Sequence, residues 1–172
     1  MTDSTRALED LTDRVKRLEQ KVAATEVEGT ATPVAPVAGE VFWALEALRA
    51  RVDDVGAVLF TGTVTLPTQE RAEWQQGSTT ESLLEADWTE TTDVLAALGH
   101  PVRLLLLREV LRGARSVGEL GAVEGLGTSG QLYHHLRQLV AAGWLRTSGR
   151  GRYEVPAARV VPLLVVVAAA QR

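Results

Sequence analysis

The sequence predicts a mainly helical chain with small β elements, an α+β fold whose C-terminal half is the denser part. Three observations predict it. Apolar residues recur at helical spacing over residues 5–26 and again through most of residues 92–171. Between them, residues 57–66 read AVLFTGTVTL, rich in β-branched residues, and are broken by Pro67-Thr68-Gln69-Glu70. Glycines follow the later helical stretches at Gly113 and Gly143, where a helix end favours them.

Composition excludes several classes. Of 172 residues 45% are hydrophobic and 23% charged, which is globular rather than disordered. No cysteine is present, so disulfides, thiol nucleophiles and Cys-ligated metals are excluded. The longest apolar run, Val160 to Ala170, contains Pro162 and falls short of the ~20 residues a membrane helix needs. The first ten residues are polar. A soluble, cytoplasmic protein is expected.

The elements follow in order. Leu8, Leu11, Val15, Leu18 and Val22 alternate three and four residues apart, with Leu8, Val15 and Val22 at a and Leu11 and Leu18 at d. That pattern suits a parallel two-stranded coiled coil, and Arg14 and Lys21 at g stand opposite Glu19 and Glu26 at e. Residues 1–26 are therefore expected to be a dimerising helix. One amphipathic helix packed on its own domain is the competing reading. Residues 27–40 mix Gly, Pro, Thr and Ala and read as a linker. Residues 41–88 form a third segment: a helix over Val41–Val52, a β-hairpin from residues 57–66 and 71–76, and a short acidic helix over Ser78–Glu85.

Residues 89–172 change character. Thr92 is expected to cap a helix to Leu98, and Pro101 to open the next, which ends at Gly113. Ser116 and Glu119 have the spacing of a capping box for a third helix. After Gly125-Leu126-Gly127, Thr128 is expected to cap a fourth helix to Ala142, with Leu132, Leu136 and Leu139 inward. Two short strands, Trp144–Thr147 and Arg152–Val155, flank Ser148-Gly149-Arg150-Gly151, and a last helix runs over Ala157–Gln171. This order is that of a winged helix-turn-helix.

Charge separates with it. Residues 1–90 carry 8 Lys/Arg against 17 Asp/Glu, net −9, whereas residues 91–172 carry 10 Arg against 5 Asp/Glu, net +5. Such asymmetry hints at nucleic acid. In a winged helix-turn-helix one helix enters the major groove and the hairpin reaches the backbone. Gln131, Tyr133 and His134 are the candidates for base edges. Thr128, Ser129, Arg137, Arg150 and Arg152 are candidates for phosphates, with Gln138 and Arg146 beside them.

The motifs L-x-x-L-x-H-P-x-R-L-x-x-L from Leu95, S-V-G-E-L from Ser116 and H-L-R-Q-L-x-x-A-G-W-L from His135, followed by an Arg-Gly hairpin, resemble the ArsR-like family of bacterial winged-helix repressors over about residues 90–170. The resemblance implies a homodimeric DNA-binding transcriptional regulator, a repressor, with recognition helix 128–142 and wing 146–153. It also implies that the last helix, through Leu163, Leu164 and Val167, joins the dimer interface. Metal sensing does not carry over: the third helix has no Cys or His and the last none of Asp, Glu, His or Cys.

Other readings stand beside this one. Adjacent His134 and His135 diverge around a helix and cannot chelate as an i,i+4 pair does. His134 is expected to face DNA, His135 to be partly buried, and His100 to cap a helix. Phe42, Trp43, Phe60, Trp74 and Trp88 are either a ligand pocket or the core of the 41–88 segment. No catalytic constellation and no cofactor is expected. The alternatives to a DNA-binding regulator are a protein-interaction scaffold and a small-molecule sensor with its receptor in the N-terminal half.

Overall fold

Among the described residues, helical spacing, capping and turn chemistry produce helices and hairpins in the order the sequence suggests. The computed structural model describes residues 42–52, 56–126, 129–149 and 151–171, with Arg14 and Lys16, both helical. The five heptad positions from Leu8 to Val22, the 27–40 linker, Thr128 and Arg150 lie outside the described residues. The chain divides into Met1–Ala44 and Leu45–Arg172.

The elements are α1 (Trp43–Arg49), β1 (Ala57–Thr65), β2 (Arg71–Thr79), α2 (Thr80–Glu85), a 3-10 turn (Trp88–Thr91), α3 (Thr92–Leu98), α4 (Pro101–Arg112), α5 (Val117–Gly121), α6 (Ser129–Ala141), β3 (Arg146–Thr147), β4 (Tyr153–Glu154) and α7 (Ala157–Ala169). Two separate antiparallel hairpins, β1–β2 and β3–β4, complete an α+β fold.

The helix ends have identifiable causes. His100 caps α4, its Nδ1 accepting from Val102 N at 3.2 Å, and Pro101 follows at the first helical position. Gly113 ends α4 with φ 114°, a left-handed conformation that glycine tolerates. The capping box at α5 forms: Glu119 N donates to Ser116 Oγ at 3.2 Å, and Ser116 N donates to Glu119 Oε2 at 2.7 Å. Thr92 does not cap α3. It is already helical, because the 3-10 turn capped by Asp87 leads directly into the helix. The strand β2 runs on to Thr79, so the acidic helix α2 begins later than expected, capped by Thr79.

One core joins α4, α5, α6, Trp144, Leu145 and α7. Leu106, Leu120, Leu136 and Leu139 have no exposed surface, and each contributes about 1.5–3 kcal/mol by leaving water. Trp144 is buried among them and donates its Nε1–H to Val94 O at 2.8 Å. A second cluster is formed where β1–β2 packs on α7, through Phe60, Val64 and Ala72 against Val160 and Val161. Gly62 is required there, since a Cβ would lie 2.8 Å from Val161 Cγ1. The hairpin turns over Pro67, Thr68 and Gln69, closed by Leu66 N donating to Glu70 O at 2.9 Å, with Gln69 left-handed at φ 68°.

Leu163 is 2% exposed within the core of its own chain, and it lines an open apolar groove with Leu164 and Val167. Leu164 is likewise partly covered by the β1–β2 cluster, while Val167 stays exposed. Phe42, Trp43 and Trp88 are not the core of a small subdomain: they are 63%, 58% and 65% exposed. Of the five aromatic residues only Phe60 packs into a cluster. Among the described residues no helix is long and apolar enough to cross a membrane.

Candidate nucleic-acid interface

The two faces of α6 are sharply separated. Leu132, Leu136 and Leu139 recur at intervals of four and three and bury one stripe. Ser129, Gln131, Tyr133, His134, Arg137 and Gln138 are all exposed on the remainder. The inner stripe is fixed by the core, so the outward groups sit on a rigid element. That is the condition for reading a groove by side-chain hydrogen bonds.

Their electrostatic states differ. Arg137 makes no ion pair and no hydrogen bond among the described residues, so its five donors face solvent. Gln138 is engaged: its Oε1 accepts from Arg103 Nη1 at 2.6 Å. The same Arg103 donates from Nε to Ala97 O at 2.5 Å and from Nη2 to Ala96 O at 2.7 Å. It thereby satisfies two carbonyls at the end of α3 and ties them to α6. Sequence reasoning missed this clamp. Its only sequence signal is an Arg two residues after Pro101 in a strongly apolar helix.

His134 is exposed and His135 half-buried. The His135 ring lies 4.6 Å from His100, and its Nδ1 is buried without a hydrogen-bond partner. Burial, and then the positive charge of His100, Arg103 and His134, lowers its pKa below the usual 6.5. Among the described residues no group of three or more His, Asp or Glu is arranged to hold a metal ion.

The wing pairs β3 with β4 in the register Arg146–Glu154 and Thr147–Tyr153. Gly149 and Gly151 adopt φ of 92° and 67°, which lets the hairpin turn in so few residues. The cross-strand register sets the charges. Arg146 donates from Nε to Glu154 Oε1 at 2.6 Å, so a carboxylate already partners it. Arg152 is exposed and acts on the Glu119 carboxylate electrostatically, with no ion pair at contact distance. Glu119 itself is held below the usual carboxylate range chiefly by the Ser116 backbone N–H. The wing is anchored by Tyr153 N donating to Arg115 O at 2.7 Å and by a single β-bridge between Ser116 and Arg152.

The structure thus leaves Ser129, Gln131, Tyr133, His134 and Arg137 exposed around the sides and outer surface of α6, and puts Arg146 and Arg152 on the wing. Neither a protein-family model nor a curated protein matches the sequence. Among solved structures, the chain is similar to Rv0081 of M. tuberculosis, at 29% identity over 48% of this chain and 84% of that one, TM-score 0.40. It is also similar to the transcriptional repressor BigR from Xylella fastidiosa, at 28% identity over 54% of this chain and 99% of that one, TM-score 0.40.

Proposed function

We propose that the chain is a sequence-specific DNA-binding transcriptional regulator, a repressor that acts as a homodimer and has no enzymatic activity. The observation that carries this reading is the division of α6. Three leucines are wholly spent on the core, and the remaining surface carries hydrogen-bonding groups and Arg137, which has no partner among the described residues. Helix α6 enters the major groove, with Gln131, Tyr133 and His134 toward base edges. Ser129, Arg137 and the wing Arg152 hold phosphates, and Thr128 and Arg150 extend that set. The net +5 of residues 91–172 supports the same reading.

The dimer rests on the heptad at Leu8, Leu11, Val15, Leu18 and Val22 and on Val167 at the exposed end of α7. A two-fold dimer requires a near-palindrome with half-sites about one helical turn apart. The test is capture of sheared genomic DNA by the purified protein at about 0.15 M salt, where non-specific phosphate binding is weak. Recovery of a few sites sharing an inverted repeat is expected. Recovery without any common sequence refutes sequence-specific binding and favours an interaction scaffold.

A further inference from the structure

Between the β1–β2 hairpin, the start of α3 and α7 lies a groove of about 430 Å³. Phe60 and Trp74 form its hairpin wall, Val94 and Trp144 its base, and Arg159 one side. Its size falls in the range of small-molecule sites, about 300–1,000 Å³. Trp74 is 37% exposed at the rim although it is carried by a strand that packs on α7. Trp144 is held in place by its Nε1–H bond to Val94 O.

Arg159 supplies the polar feature. Its guanidinium lies 5.1 Å from the Trp144 ring centre, stacked on an indole that is itself buried. It is half-buried, and among the described residues no carboxylate, carbonyl or hydroxyl accepts from its side chain. Stacking leaves the in-plane N–H donors of a guanidinium available, in a fork that matches a carboxylate. Gln76 and Thr91 add neutral polar groups to walls that are otherwise apolar and aromatic, and among the described residues Arg159 is the only charged group lining the groove. A phosphate dianion would need more donors than one Arg, whereas a monoanion with a flat apolar body matches both features.

We propose that this groove binds a planar aromatic carboxylate, its ring against Phe60 and Trp74 and its carboxylate on Arg159. The ligand would bridge the hairpin to the winged helix, making the hairpin a receptor element. The site stands independently of whether α6 binds DNA.

The test titrates the full-length protein with 2-naphthoate and with neutral 2-naphthamide. Calorimetry and the indole N–H resonances of Trp74 and Trp144 give the readout. Naphthoate should bind at least about tenfold more tightly than the amide, since a charge-assisted bond is roughly twice as strong as a neutral one. Arg159→Gln should abolish that preference by weakening naphthoate far more than the amide, and Arg159→Lys should restore part of it. Trp74→Leu should weaken both ligands. Equal affinity for acid and amide, or no naphthoate binding at about 1 mM, overturns the proposal. So does an Arg159→Gln variant that stays folded and keeps the preference. The acid–amide comparison on the unaltered protein holds even if a variant fails to fold.

Discussion

Arg115 fastens the tip of the β1–β2 hairpin to the winged helix through an ion pair with Glu70. The same residue gives its backbone N–H to Glu119 Oε2 at 2.9 Å and accepts from Tyr153 N through its carbonyl. One residue therefore touches the hairpin tip, the cap of α5 and the wing. Along the strands the hairpin is held a second time, where Gly62 meets Val161 on α7. These two attachments differ in kind, one electrostatic and one steric, and they predict different behaviour.

The electrostatic attachment should be worth little at neutral pH and nothing in acid. The Glu70 side chain is 51% exposed, so solvent screens the pair and Glu70→Gln should cost about 0.5 kcal/mol. The Arg115 hydrogen bond, and then that from Thr68, holds the Glu70 carboxyl below its ordinary 4.5. A folded pKa below the unfolded one gives stability that is present above about pH 4.5 and fades as the pH falls further. Urea unfolding of both proteins at about pH 7 and about pH 3.5 checks this. A gap between them that persists or widens in acid contradicts it.

The steric attachment should be the stronger. Gly62→Ala places a Cβ against Val161 Cγ1, and Val161 is 2% exposed with little room to move. Overpacking of this kind costs about 1–3 kcal/mol. The double variant Gly62→Ala, Val161→Ala should lose less than the sum of the two single variants, because the clashing methyl groups are gone. Thermal unfolding of the unaltered protein, the two single variants and the double variant reads the coupling. Additive losses would show that Gly62 matters for a reason other than contact with Val161.

These attachments also mark the limit of what the sequence can show. The winged helix is readable because each element carries its own signal: leucines on one face of α6, Ser116 and Glu119 at capping-box spacing, Gly113 at a helix end. The alternation in β1 and β2 identifies an inward face holding Phe60, Val64 and Ala72, but alternation does not say what covers it. The same ambiguity holds for α7. A helix apolar almost all round does not say which residues the core takes, here Leu163, and which the hairpin takes, here Val160 and Val161. Pairings across elements are equally hidden. That Arg146 meets Glu154 and Arg103 meets Gln138 depends on register and helix crossing, neither of which a residue type encodes.

Acid should also loosen the junction of α4 and α6. The His135 ring is half-buried against His100, and desolvation leads the causes that lower its pKa below 6.5. Between the folded and unfolded values the unfolded chain binds more protons, so stability rises with pH across that window. The contribution is complete above about pH 6.5 and is lost as the pH falls below it. His135→Phe keeps a flat ring and removes the titration. Denaturant unfolding at about pH 7.5 and about pH 5.5 should show a smaller pH effect in the variant than in the unaltered protein. An identical pH dependence would assign the effect to other groups.

The proposed DNA contacts separate by how each Arg is already occupied. Arg137 has no partner among the described residues, so its charge is available to a phosphate without breaking anything. Arg146 is paired with Glu154 across the wing and must share or leave that carboxylate first. Arg137→Ala should therefore weaken binding to specific and random duplexes alike and reduce the slope of log K against log salt by about 1. Arg146→Ala should change that slope less, because Glu154 already neutralises much of its charge and it displaces fewer phosphate counterions. Gln131→Ala should behave differently from both, leaving the slope intact and lowering discrimination between sequences by about 1–3 kcal/mol if its contact is bidentate. Fluorescence anisotropy over a salt series, on one captured site and on a scrambled duplex, measures all three. Equal losses on the two duplexes for Gln131→Ala would remove it from base readout, and a larger slope change for Arg146 than for Arg137 would reverse the ranking of the two arginines.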